Sequence, residues 1–122
     1  MKIFVTHSSD YDFQNELYEP LKGSQLGKRS EIIFPHEDGS EVVTKEVIKE
    51  CDLIIAEVSR PSTGQGIELG WADMFQIPVV CIYQENSKPS RSLSKITSNF
   101  LAYINKEDML AKLEEWISKK KD

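Results

Sequence analysis

Two rhythms of apolar residues alternate along the chain. Short runs rich in β-branched and aromatic residues, at Lys2 to Thr6, Glu31 to Phe34, Asp52 to Glu57, Pro78 to Tyr83 and Asn99 to Ile104, predict five strands. Between them apolar residues recur at every fourth position, the spacing that lays one stripe along a helix. Phe13, Leu17 and Leu21 form one stripe, Val43, Val47 and Cys51 a second, and Ile67, Trp71 and Phe75 a third. A closing amphipathic helix carries Met109, Leu113, Trp116 and Ile117 on one face, with Asn105 or Asp108 as its start.

Leu53-Ile54-Ile55-Ala56 and Val79-Val80-Cys81-Ile82 are unbroken apolar runs, the mark of strands covered on both faces. Strands that alternate with helices build a parallel sheet, because right-handed crossovers return the chain to the same sheet. The expected fold is therefore α/β, a three-layer sandwich around a five-stranded parallel sheet of flavodoxin-like order 2-1-3-4-5. Such sheets bind ligands beyond the carboxyl ends of the strands, where the strand order reverses. The first and third strands flank that point, which directs attention to the loops Thr6 to Asp12 and Val58 to Gly66. Gly23 to Ser30 and Glu85 to Ser92 read as polar, mobile loops, the second a candidate lid.

The 122 residues, 39% hydrophobic and 29% charged, suit one domain spanning 1–122. A formal net charge of -5 opposes nucleic-acid binding, and the basic run Lys119 to Lys121 suits the C-terminal end of a helix instead. No run approaches the roughly 20 apolar residues of a membrane span. Met1 leads into a short strand and not into a long hydrophobic signal, so the expected location is the cytoplasm. Cys51 and Cys81 lie in apolar runs without metal-ligand spacing, so neither a metal site nor a disulfide is expected, and no cofactor is called for.

The segment Ser59 to Gly66 leaves a buried strand and runs into Ile67 to Ala72. Its glycines allow close approach of a ligand, its hydroxyls bond polar groups, and the amides at a helix start attract anions, so phosphate or ribose fits there. A tight turn with a helix cap describes the same residues. The lysine of a G-x-x-x-x-G-K-[ST] loop is missing, which argues against triphosphate binding of that kind. Glu68, in the first turn of the helix, reads either as a carboxylate favoured by the helix dipole or as one placed against an oxocarbenium-like sugar centre. Glu57, at the strand end, is a second candidate whose plainer role is to bond loop amides or Arg60.

The run Cys51 to Gly70, CDLIIAEVSRPSTGQGIELG, resembles the nucleoside 2-deoxyribosyltransferase family, most of all its branch of deoxynucleoside monophosphate N-glycosidases. The likeness is dense over about residues 44 to 83, and elsewhere the order of elements agrees. It implies cleavage or transfer at the N-glycosidic bond of a (deoxy)nucleoside or its monophosphate. It further implies that Glu68 is the catalytic carboxylate, that Ser62 with the amides around Gly64 and Gly66 holds a 5′ phosphate, and that Ser94 reaches the phosphate site of a neighbouring subunit. A homodimer with composite sites follows, with Trp71 and Phe75 as candidate interface aromatics. Two features depart from the family pattern. Thr44 stands eight residues before Asp52 where members commonly carry an aspartate, with Glu41 and Glu46 as the nearby carboxylates, and the first loop reads Thr6-His7-Ser8-Ser9-Asp10-Tyr11 in place of a glycine-serine sequence.

Phe4 to Phe13, FVTHSSDYDF, is also similar to the opening of TIR domains, which implies the same sandwich used as an interaction module or as an NAD-cleaving glycosidase. His7 is a candidate proton donor to a leaving base and Tyr11 a candidate stacking group, each with a plainer reading as a local hydrogen-bonding or packing residue. His36 carries the same two readings. The leading expectation is an N-glycosidic-bond enzyme acting on a small nucleoside or nucleotide, with the base toward His7 and Tyr11. The alternative is a noncatalytic nucleotide-binding or TIR-like sensor module.

Overall fold

In the computed structural model, which describes residues 1–37 and 45–121, all five expected strands form. They are β1 (Lys2–His7), β2 (Glu31–Ile33), β3 (Leu53–Glu57), β4 (Val79–Gln84) and β5 (Phe100–Tyr103). The sheet is parallel throughout in the order β2-β1-β3-β4-β5, as expected. Register pairs Thr6 with Ala56 and His7 with Glu57, so β1 and β3 end level at the switch point.

All of β3 is buried, as a strand covered on both faces requires. The two-residue period of the strands then sorts the core into two layers. Ile3, Val5, Leu53 and Ile55 face α1 (Glu19–Gly23), which is entered through a π-helical turn at Gln14–Tyr18, together with α2 (Gln25–Arg29) and α5 (Lys106–Lys121). Phe4, Ile54 and Ala56 face α3 (Lys45–Lys49) and α4 (Thr63–Met74). Both candidate starts of the last helix act together. Asn105 Oδ1 accepts the Asp108 N–H at 2.8 Å while Asp108 Oδ2 accepts the Ile104 N–H at 3.0 Å, a reciprocal cap that satisfies two otherwise orphaned amides.

Two expectations change. Gly23 to Ser30 is no loop, since α2 forms there, capped by Ser24 Oγ on the Gly27 N–H at 3.0 Å and anchored by the buried Leu26. Polarity hid this short helix. It packs so closely on the end of α1 that a Cβ at Gly27 would collide with the Leu21 carbonyl. The second change concerns α4, which begins at Thr63, one turn before Ile67, with Ser62 as its N-cap. The stripe facing the sheet is accordingly Gln65, Leu69 and Ala72, while Ile67 is 52% exposed and Trp71 and Phe75 are half-buried. Val43, Glu41 and Thr44 lie outside the described residues. Among the described residues no helix is long and apolar enough to cross a membrane.

Candidate active site at the carboxyl edge of the sheet

The face that β1 gives to α4 carries Phe4 and then, two residues on, Thr6. Thr6 Oγ1 donates a hydrogen bond to Glu68 Oε1 at 2.6 Å, which ties the second turn of α4 to the end of β1. Glu68 is half-buried. Burial raises its carboxyl above the ordinary carboxylate range, and the Thr6 hydroxyl and the nearby His36 draw it partly back. One carboxylate oxygen is thus held while the group stays poorly solvated, the condition under which negative charge acts most strongly on a neighbouring cationic centre.

The helix start is built by three residues. Ser62 Oγ accepts the Gln65 N–H at 3.3 Å, and the Ser62 carbonyl accepts the Gly66 N–H at 3.0 Å. The Gly66 amide is therefore spent inside the helix, which leaves Thr63 and Gly64 at the first two positions, where amides lack intrahelical partners. A Cβ at Gly64 or Gly66 would meet open space, so neither glycine is demanded by packing within the chain. Gln65 is buried, and its Nε2 donates to the carbonyls of Thr6 at 3.2 Å and Glu57 at 2.7 Å. One carboxamide thus clamps α4 across the ends of both strands at the switch point.

His7 follows Thr6 and by strand alternation faces the other layer. Nδ1–H donates to the Ser8 carbonyl at 2.8 Å, and Nε2 accepts from the Tyr18 hydroxyl at 2.6 Å. Burial lowers its pKa, against the opposing pull of the Ser8 bond. Both nitrogens are engaged in the neutral ring, so the geometry supports the hydrogen-bonding reading of His7. His36 is less enclosed. Its ring packs edge-on to His7 with centroids 5.4 Å apart, and its backbone N–H donates to Tyr18 Oη at 3.3 Å. Tyr11 is also enclosed, its hydroxyl shut off from solvent, with the Arg60 guanidinium 4.8 Å above its ring. Burial raises the Tyr11 phenol further above its ordinary value.

Glu57 is 2% exposed and fully engaged. It accepts the Ser59 N–H at 2.9 Å, the Ser59 hydroxyl at 2.8 Å and the Tyr103 hydroxyl. The loop-amide role read from the sequence is the one observed. Ser94 lies apart from Ser62, exposed in a 3₁₀ turn (Arg91–Lys95) with its hydroxyl donating to the Arg91 carbonyl at 2.8 Å. Ser90 and Ser92 instead line a cleft of about 460 Å³ at the start of α4, together with Arg60, Ser62 and Thr63. Glu46 is exposed on α3.

Thr6 and Gln65 join the site without a role read from the sequence, and Arg60, a candidate partner of Glu57 there, lies over Tyr11 instead. Alternation along β1 already puts Thr6 on the face of Phe4, and the spacing of Gln65, Leu69 and Ala72 is that of a core-facing stripe. The polarity of Gln65 masks that signal. For Arg60 the signal is its place in the candidate ligand loop Ser59 to Gly66.

No protein-family model matches the chain. It is 40% identical over 45 residues to a putative 2'-deoxynucleoside 5'-phosphate N-hydrolase 1 of Syntrophotalea carbinolica, covering 37% of this chain and 32% of that protein. It is 31% identical over 75 residues to the 5-hydroxymethyl-dUMP N-hydrolase of Homo sapiens, covering 62% and 43%. The chain thus spans about a third to a half of the curated relatives it matches. Its fold is that of a CMP N-glycosidase from Clostridium botulinum, with a TM-score of 0.69 and 23% identity over 93% of this chain and 99% of that one. In sequence, then, the chain is similar to the nucleotide N-hydrolases of the nucleoside 2-deoxyribosyltransferase-like family, and it has the family's fold.

Proposed function

We propose that the chain cleaves the N-glycosidic bond of a nucleoside monophosphate, with Glu68 as the catalytic carboxylate. The observation that carries this reading is the state of Glu68: half-buried, poorly solvated and held, among the described residues, by one hydrogen bond, from Thr6 at the switch point of the sheet. The sugar lies against Glu68, and the phosphate lies at the start of α4 against the Ser62 hydroxyl and the Thr63 and Gly64 amides. The C1′–N bond breaks with its electron pair leaving on the base. Glu68 attacks or electrostatically stabilises the electron-poor C1′, and water then delivers hydroxide to that carbon and a proton to the medium. His36, less enclosed than His7 and electrostatically coupled to Glu68, takes the role of proton donor to the leaving base. Hydrolysis is favoured over transfer because the relatives are N-hydrolases by name.

A homodimer belongs to the same proposal. It is supported by the exposed Ile67 and Met74 on α4 beside glycines that face open space, and light scattering of the purified protein tests it. A cytoplasmic location is proposed with it, in keeping with two free, buried cysteines.

The decisive experiment incubates the protein and Glu68→Gln with a panel of nucleosides, their monophosphates and NAD, and measures released base. Release from monophosphates that disappears in Glu68→Gln is expected. Binding without release would favour the noncatalytic sensor, and release untouched by Glu68→Gln would remove Glu68 from the mechanism.

A further inference from the structure

Arg60 is a half-buried cation whose Nη1 is shut off from solvent and finds no hydrogen-bond partner among the described residues. Its guanidinium instead lies over the Tyr11 ring, 4.8 Å from the centroid. Leaving an N–H of a charged group buried and unbonded is costly, so the arrangement calls for an acceptor that the described residues do not supply. Arg60 also lines the cleft at the start of α4, two residues before the N-cap. Ser62, Thr63, Ser90 and Ser92 line that cleft beside apolar residues such as Leu69 and Leu93, with no carboxylate among the described lining residues. A cation among hydroxyls, without a competing acid, matches a phosphomonoester, whose oxygens a guanidinium fork binds in pairs. The stack on Tyr11 takes up one face of the guanidinium. It also joins the loop after β1 to the loop after β3 across the switch point.

We infer that Arg60 is a specificity-determining residue that selects a 5′-phosphorylated nucleoside over the free nucleoside. Its guanidinium binds the phosphate beside Ser62 and Thr63, and Tyr11 is the positioning residue that holds it there. This deepens the proposed function and rests on that reading of the site.

The test measures binding in the Glu68→Gln background, where nothing turns over. Calorimetry compares a nucleoside monophosphate, its nucleoside and inorganic phosphate, with and without Arg60→Gln, Arg60→Lys and Tyr11→Leu. With Arg60 present the monophosphate binds roughly tenfold to a hundredfold more tightly than the nucleoside, the range for charge-assisted hydrogen bonds. Arg60→Gln removes most of that ratio, Arg60→Lys restores part of it, and Tyr11→Leu lowers it in between, which also covers the case in which Arg60→Gln fails to fold. A ratio unchanged in Arg60→Gln or, should that variant not fold, in Tyr11→Leu overturns the inference. Affinity is read without chemistry, so absence of base release in the unmodified protein would overturn the catalytic reading while leaving the phosphate preference to stand or fall on its own.

Discussion

Glu57 and Glu68 stand on consecutive elements at one edge of the sheet, and their surroundings give them opposite roles. Glu57 points into the layer of α1 and α5, is 2% exposed, and is used up by Ser59 and Tyr103. Glu68 points back from α4 toward β1, is half-buried, and receives one hydrogen bond from Thr6. Nearness to the switch point is common to both. What separates them is hydrogen-bond saturation: a carboxylate whose lone pairs are taken organises a loop, whereas one held by a single donor keeps an oxygen for a ligand.

That contrast breaks most visibly in activity. Glu68→Gln lowers base release by roughly a hundredfold to a thousandfold, the scale on which removal of one stabilising group in an active site acts, while Glu57→Gln in its folded fraction retains most of it. A reversed pattern in a base-release assay would exchange the two roles. Stability is affected the other way. Glu57→Ala leaves Ser59 and Tyr103 without their acceptor and lowers unfolding free energy by on the order of 2 to 3 kcal/mol, read as a lower urea midpoint.

Glu68 makes the opposite contribution to stability. Its folded carboxyl binds a proton more tightly than the unfolded one, so the native state loses stability as pH rises from about 4.3 through the raised folded value. Glu68→Gln has nothing to ionise and melts higher than the parent at neutral pH, with the gap closing in acid. Thermal melts across that range decide it. Thr6→Val removes the donor that holds the Glu68 pKa partly down, so the acid limb of the pH–rate profile moves to higher pH, and an unmoved limb would detach Thr6 from Glu68. The smallest effect is expected at the helix start. Ser62→Ala costs about 1 kcal/mol as a lost N-cap and weakens phosphate-bearing substrates more than free nucleosides, a difference that competition binding reveals.

Much of this architecture is legible in particular residues. Leu53 to Ala56 and Val79 to Ile82 announce central strands because only a strand covered on both faces is apolar at every position, and Met109, Leu113 and Ile117 announce α5 by spacing. Apolar spacing alone puts the start of α4 one turn late because Thr63-Gly64-Gln65-Gly66 has poor helix propensity. It is helical since Ser62 caps it and Gln65 finds acceptors at the strand ends, contacts between residues far apart in the chain. The helix Gln25–Arg29 was hidden for a similar reason, with one buried leucine among polar neighbours.

By itself the sequence determined the sheet, its order and the neighbourhood of the site, because apolar periodicity and handed crossovers are local or topological properties of the chain. It also supplied the likeness on which Glu68 was singled out. Only the tertiary structure decided how the polar groups at the edge are shared. Strand parity sends Thr6 to Glu68 and His7 to Tyr18 on opposite faces, and Arg60 is left over Tyr11 with a nitrogen unbonded among the described residues. Which donor meets which acceptor depends on contacts between distant segments, and composition carries no record of them.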